Sequence, residues 1–367
     1  MASGVTIGEP TTDLMTVAAC AERGAVRLER RPRPEPGPGE MLLALRCAGL
    51  CGTDLFKIRY GTVPPGTVLG HEVVGTVEAL GAGVTGFAPG DRVVVPHHVA
   101  CGECALCRRG SETLCPVFRE NLLSPGGFSD RMLVRERAVL RAAFGLPDHV
   151  SDEAAVFLEP AACVLRGIRH ARLAELAVPA PPGGPPVAVV LGGGSMGLLH
   201  VLVLQVLFPD LRTVVSEPLE ERRALALRLG AAAAVAPEEA GAAVEALSGG
   251  LSADVAFDTV GGVGPLDAAL ALTREGGTVV LFAHAPGSGA SSERAGFDLN
   301  AFFKSERKLI TTYSSALAEQ REIYRLLATR RLDPSPLVTH RLPLSRLAEG
   351  IELSRERQAL KVLLTPR

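Results

Sequence analysis

Four cysteines in one short stretch, Cys101, Cys104, Cys107 and Cys115, constrain this chain more than any other feature. Two, two and seven residues separate them. One loop at that spacing can gather four thiolates around a single ion in a closed tetrahedral cage. A closed cage leaves no coordination position for water or substrate, so its work is to hold a loop in shape rather than to perform chemistry.

With 367 residues the chain has the length of two domains. A composition of 47% hydrophobic and 21% charged residues is that of a globular protein with ample core. Lys+Arg number 38 against Asp+Glu 40, a net charge of −2. Neither sign forms a long block, which argues against a nucleic-acid or anionic-membrane surface. With no Trp and three Tyr there is little material for stacking bases. The other four cysteines, Cys20, Cys47, Cys51 and Cys163, are too scattered for a disulfide scaffold. A reducing compartment, the cytoplasm, is expected, with no signal peptide in evidence. Residues 1–14 read as a disordered leader. The uncharged segment from Pro185 to Pro209 has the length of a membrane span, for which about 20 apolar residues suffice. Its four glycines favour a strand, a tight turn and a helix instead.

Short β-like runs separated by Gly/Pro turns fill residues 15–160, with the cysteine loop among them. Residues 179–186, rich in Pro and Gly, break the pattern. From Val187 onward, apolar strand-like runs alternate with helix-like stretches, the signature of a parallel sheet flanked by helices. The expected division is a first domain at 15–165 that the tail 305–367 rejoins, and a second at 166–304.

Gly192-Gly-Gly194-Ser195-Met196-Gly197 fits the pattern G-x-G-x-x-G directly after the apolar run Val187–Leu191 and ahead of a helix-like stretch. Glycines there let the backbone turn tightly and approach a pyrophosphate, whose charge faces the helix N-terminus. Glu217 follows Gly197 by twenty residues, at the end of the next expected strand. A carboxylate there accepts hydrogen bonds from ribose hydroxyls and repels a 2′-phosphate, favouring NAD over NADP. Arg222 and Arg223 stand close enough to accommodate a phosphate, which keeps NADP open.

A second set of metal donors lies upstream: Cys51 in Cys51-Gly-Thr53-Asp54, then His71 and Glu72, with Glu159 before Pro160. A catalytic zinc takes about three protein ligands and keeps one position open.

These pieces, with Pro34–Glu40, Pro89–Val93 and Gly126-Gly-Phe128, stand in the order and spacing of one family. The chain resembles the zinc-dependent medium-chain alcohol dehydrogenases, especially the sorbitol and threonine dehydrogenase-like branches. The resemblance implies a partly open β-barrel (GroES-like) catalytic domain and a doubly wound Rossmann domain, with the active site in the cleft between them. It implies two zinc ions per chain, one structural in the cage and one catalytic on Cys51 and His71. Both Glu72 and Glu159 are candidates for the third ligand, Cys163 being a buried spectator. The implied reaction passes hydride between NAD(H) and a secondary alcohol or ketone of a polyol, cyclitol, sugar or amino alcohol. Zinc lowers the proton affinity of the substrate oxygen.

Thr53 occupies the place of a hydroxyl that starts a proton relay, and Asp54 that of a group orienting His71. Relatives often carry a later relay histidine where this chain has Phe56, so the proton must leave another way, through cofactor ribose or water. His97, with His98, Thr312 and Tyr313, falls near pocket-lining positions. Homodimers or homotetramers are implied, with no membrane or nucleic-acid partner. The alternatives are a biosynthetic ketone reductase on the same fold and a non-enzymatic zinc-ribbon module. Metal analysis should separate the last from an enzyme, with two zinc ions per chain expected against one. Cys115→Ser should release about one zinc and lower the melting midpoint before any specific kinetic effect, as a closed structural site requires.

Overall fold

Strand propensity and glycine placement build two sheets in the computed structural model, which describes residues 13–176, 185–287, 293–296 and 298–366. Most of the expected leader and of the 179–186 loop lies outside the described residues. Leu14 already belongs to the first strand.

The first unit contains β1 (Leu14–Cys20), β2 (Val26–Pro32), β3 (Met41–Gly49), β4 (Glu72–Leu80), β5 (Arg92–Pro96), β6 (Leu123–Ser124), β7 (Arg131–Val134) and β8 (Phe144–Gly145). β1 and β2 form an antiparallel hairpin. β3 is the pivot of the larger, mostly antiparallel sheet, pairing with β4, β7 and the last strand of the chain. Its register sets Gly49 opposite Glu72. Inward faces carry Met41, Leu43, Leu45, Val73, Val77, Val93 and Val95, all buried in one core.

The second unit is a six-stranded parallel sheet of β9 (Val187–Leu191), β10 (Arg212–Ser216), β11 (Ala233–Val235), β12 (Ala253–Asp258), β13 (Thr273–Leu281) and β14 (Lys308–Thr311). Every residue of β9, Val-Ala-Val-Val-Leu, is buried, as a strand covered by helices on both faces demands. The spatial order β11-β10-β9-β12-β13-β14 is the doubly wound arrangement, and chain order reverses between β9 and β12. The run from 185 to 209 resolves into β9 and the helix Ser195–Leu207. Among the described residues no helix is long and apolar enough to cross a membrane.

The expected boundary at residue 304 needs correction, because β14 is the sheet's sixth strand, paired in parallel with β13. Four residues, Lys-Leu-Ile-Thr, are too few to display a period in the sequence. The chain then returns to the first unit through β15 (Val338–Pro343) and β16 (Lys361–Thr365), which pairs with β3.

One apolar cluster fuses the two units. It runs from Cys47, Val74 and Val94 of the barrel through the helix Leu158–His170 to Leu198 and Val201 of the helix after β9. Phe157, fully buried, lies in this cluster at the entrance to that connecting helix. Phe157→Ala should cost about 3–5 kcal/mol in denaturant unfolding and loosen both units together; two separate transitions would contradict a shared core.

Candidate active site

Cys51 caps the helix Gly52–Tyr60, and Asp54 in its first turn reaches back to accept a hydrogen bond from the Cys51 backbone N–H at 3.1 Å. The same carboxylate accepts from the Gly70 N–H at 3.4 Å and meets His71 Nδ1 at 3.3 Å. Asp54 is fully buried. Gly70 adopts φ +87°, and a Cβ there would strike Phe128 at 2.6 Å, so only glycine lets the chain turn into His71.

Sγ of Cys51, a ring nitrogen of His71 and a carboxylate oxygen of Glu72 all lie within 4.8 Å of one another. Because Nδ1 faces Asp54, Nε2 is the nitrogen left for a metal. Burial works against a charged His71 ring, but the Asp54 carboxylate and Cys51 outweigh it and raise its proton affinity well above the ordinary imidazole value. The pocket favours positive charge at its centre, and its thiolate, imidazole and carboxylate are a zinc donor set.

Glu159 stands outside that triplet. It accepts the thiol hydrogen of Cys163 at 3.3 Å. Burial, reinforced by the Glu72 charge and opposed by His71, raises its carboxyl pKa. Cys163 is pushed far up by burial and by Glu159, and so behaves as a neutral donor to it.

Lys361, which sequence reasoning missed, donates to both oxygens of Glu72, at 2.8 and 2.6 Å, from β16. Burial opposes its charge, and Glu72 raises its pKa above the ordinary lysine value. A lone lysine heading the apolar run Lys-Val-Leu-Leu was the available signal. The Glu72 carboxylate folds over Gly49, where a Cβ would lie 1.9 Å from Oε2.

His97 stacks on His71 with ring centroids 4.7 Å apart and on His98 at 3.6 Å, while His98 packs against Phe118. Burial lowers His97 well below the ordinary value and takes His98 down to about 3. Nδ1 of His97 is buried without a partner among the described residues. Thr312 likewise has a buried, unpartnered Oγ1. Tyr313 is half exposed beneath the Arg119 guanidinium.

In the cage, sulfur–sulfur separations are 3.8 Å for Cys101–Cys107, 3.5 Å for Cys104–Cys107 and 3.5 Å for Cys115–Cys101. A regular tetrahedron of about 2.3 Å bonds has edges of roughly 3.8 Å. The Cys101 Sγ also receives the Cys104 N–H, and the backbone amides of Glu103 and Cys104 lower its proton affinity.

The glycine turn leaves β9 at the switch point. Gly192 has φ +93°, and a Cβ on Gly197 would sit 1.8 Å from the Gly192 carbonyl oxygen. Ser195 Oγ, at the helix N-terminus, is buried without a partner among the described residues, the kind of donor a pyrophosphate takes. Met196 turns its carbonyl to His200 Nδ1. Glu217 is buried and accepts from the Gly193 and Leu219 amides at 2.6 and 3.0 Å. Arg222 donates to the carbonyl of Arg357 at 2.6 Å, and Arg223 to those of Glu217 and Pro218.

Lys361→Met should destabilise the protein by about 3–5 kcal/mol, since it strands the buried Glu72 charge. Adding Glu72→Gln should recover most of that loss in the same unfolding assay.

Residues 37–147 match the alcohol dehydrogenase GroES-like domain family, and residues 197–329 match the zinc-binding dehydrogenase family. The chain is 31% identical to sorbitol dehydrogenase of Gallus gallus over 359 residues, covering 93% of each. It is 33% identical to D-altritol 5-dehydrogenase of Agrobacterium fabrum over 333 residues, 89% of this chain and 92% of the other. The structure of alcohol dehydrogenase TADH from Thermus sp. ATN1 superposes with a TM-score of 0.81 at 29% identity, covering 96% of this chain and all of that one. With barrel, doubly wound sheet, cysteine cage and buried donor triplet in place, the chain belongs to the zinc-dependent medium-chain alcohol dehydrogenases.

Proposed function

We propose that this enzyme interconverts a secondary alcohol and ketone on a polyol, cyclitol, sugar or amino alcohol, using zinc and NAD(H). The observation that carries the hydroxylated substrate is His97: a half-buried imidazole beside His71 whose buried Nδ1, without a partner among the described residues, can be offered to a second hydroxyl. The two relatives named above are polyol dehydrogenases by name, and they support the same class.

Cys51, His71 and Glu72 are the proposed zinc ligands, with Glu159 on the rim. A zinc ion held there supplies Lewis acidity toward a substrate oxygen. Asp54 fixes the His71 tautomer and the start of the ligand helix together. Lys361 offsets one of the negative charges gathered by Cys51, Glu72 and Glu159. Thr53, two residues past Cys51 in the first helical turn, offers a hydroxyl to the substrate oxygen and a way out for its proton. Cys101, Cys104, Cys107 and Cys115 are the proposed ligands of the structural ion.

NAD is favoured because Glu217 lies at the ribose end of the crevice and both neighbouring guanidinium groups are occupied by backbone carbonyls. Gly192, Gly194, Ser195, Met196 and Gly197 line the pyrophosphate turn in this reading. An assembly of like chains through the dinucleotide domain is part of it: β14 ends that sheet, and Leu299 and Phe303 nearby are 75% and 80% exposed. All eight cysteines are free, in keeping with a cytoplasmic setting.

A panel of polyols, cyclitols and amino alcohols should give NADH formation with at least one member. Cys51→Ala should abolish that turnover with the fold intact by circular dichroism; near-normal turnover would overturn the site. His97→Phe should raise KM for a polyol about tenfold, the worth of one lost hydrogen bond, while sparing a simple apolar secondary alcohol.

A further inference from the structure

Oxidising an alcohol breaks an O–H bond as well as a C–H bond. The hydrogen on carbon leaves as hydride, with its electron pair, to the nicotinamide, and the hydroxyl proton has to reach solvent. Thr53 can receive that proton, but Phe56, one turn on along its helix face, cannot carry it onward. Positions 53, 56, 57 and 60 share one face of the helix Gly52–Tyr60, and Phe56 has no titratable atom.

That face is docked against the loop that leaves β13. The imidazole of His284 stacks on the Phe56 ring with centroids 4.9 Å apart and planes inclined by 19°. Phe56 also packs on Tyr60 at 4.8 Å, and the Tyr60 hydroxyl accepts the Gly287 N–H at 3.0 Å. A clamp from the dinucleotide domain thus sets one imidazole directly over the helix that carries Cys51 and Thr53. His284 is exposed. His97, His98 and His200 are held neutral by burial, and His71 is engaged by Asp54.

Building on the dehydrogenase reading above, we propose that His284 is the group that exchanges the reaction's proton with solvent at the cleft mouth. In oxidation its imidazole takes the proton delivered from Thr53 through water and passes it to bulk water; in reduction the flow reverses. Phe56 acts as the platform that orients the ring. Lys57, Arg59 and Tyr60 share the helix with Phe56, and Asp258 and Glu293 stand on the dinucleotide side, by Gly261 and Gly262, where the His284 loop passes. Asp258 Oδ1 is taken by the Val260 and Gly261 amides, and Glu293 Oε2 by the Val263 amide.

The test uses the full-length zinc-loaded enzyme and an alcohol that the wild type oxidises. The pH profile of kcat is measured for the wild type and for His284→Gln. His284→Gln should change that profile and run about tenfold slower, less than the roughly 10²–10⁴-fold of a group acting in the transition state, because exchange with solvent comes after it. KM and NADH binding, read by fluorescence, should hold. Added imidazole should restore the rate, and so should Phe56→His in the His284→Gln background. An indicator dye should show proton release lagging NADH formation in the single variant. An active wild type with an unchanged His284→Gln profile, or a loss that neither rescue repairs, overturns the role of His284 alone. A wild type that oxidises no alcohol overturns the dehydrogenase reading and this proposal with it.

Discussion

The buried carboxylate of Asp54 is the contact on which the rest of the centre depends. It reaches the amide of Cys51 and the ring of His71, both of them proposed zinc ligands, and the amide of Gly70 just before His71. Cys51 and His71 are twenty residues apart in the chain and belong to different elements; without a common anchor each would move with its own. An uncompensated buried carboxylate is costly. The hydrogen bonds and the His71 ring lower the Asp54 pKa despite full burial, so the anchor stays ionised. Its negative charge in turn makes His71 a better electron donor toward a metal.

Charge is managed in the same way around Glu72. Lys361 arrives from the end of the chain, and β16 places it by pairing with β3. Gly49, opposite Glu72 in the β3–β4 register, supplies the space in which the carboxylate folds back. Sheet register, a missing side chain and a distant lysine therefore define one carboxylate position.

Local features were legible in the sequence because their chemistry is local. The cage needs only spacing, and the glycine turn needs only a strand before it and a helix after it. Cys51, His71 and Asp54 are recognisable from short motifs, and in the structure they stand side by side. What sequence did not show depends on long-range pairing. Lys361 meets Glu72 across almost the whole chain, and His284 meets Phe56 across the domain boundary. β14 lies on the dinucleotide side of the expected boundary because it pairs with β13, and its four residues carry no period that would show this in sequence. Glu217 has the expected position, yet its carboxylate also braces the glycine turn through the Gly193 amide, a role no spacing rule reveals.

The stack His71–His97–His98–Phe118 joins the two metal-donor groups. Phe118 belongs to the small cluster that packs on Cys107 and Cys115, so the aromatic column runs from the cysteine cage to His71. Rings at van der Waals distance transmit displacement, because close-packed interiors leave no slack to absorb it. A change in the shape of the cage would therefore be felt at His71 from a distance, through a mechanical strut rather than through any shared ligand.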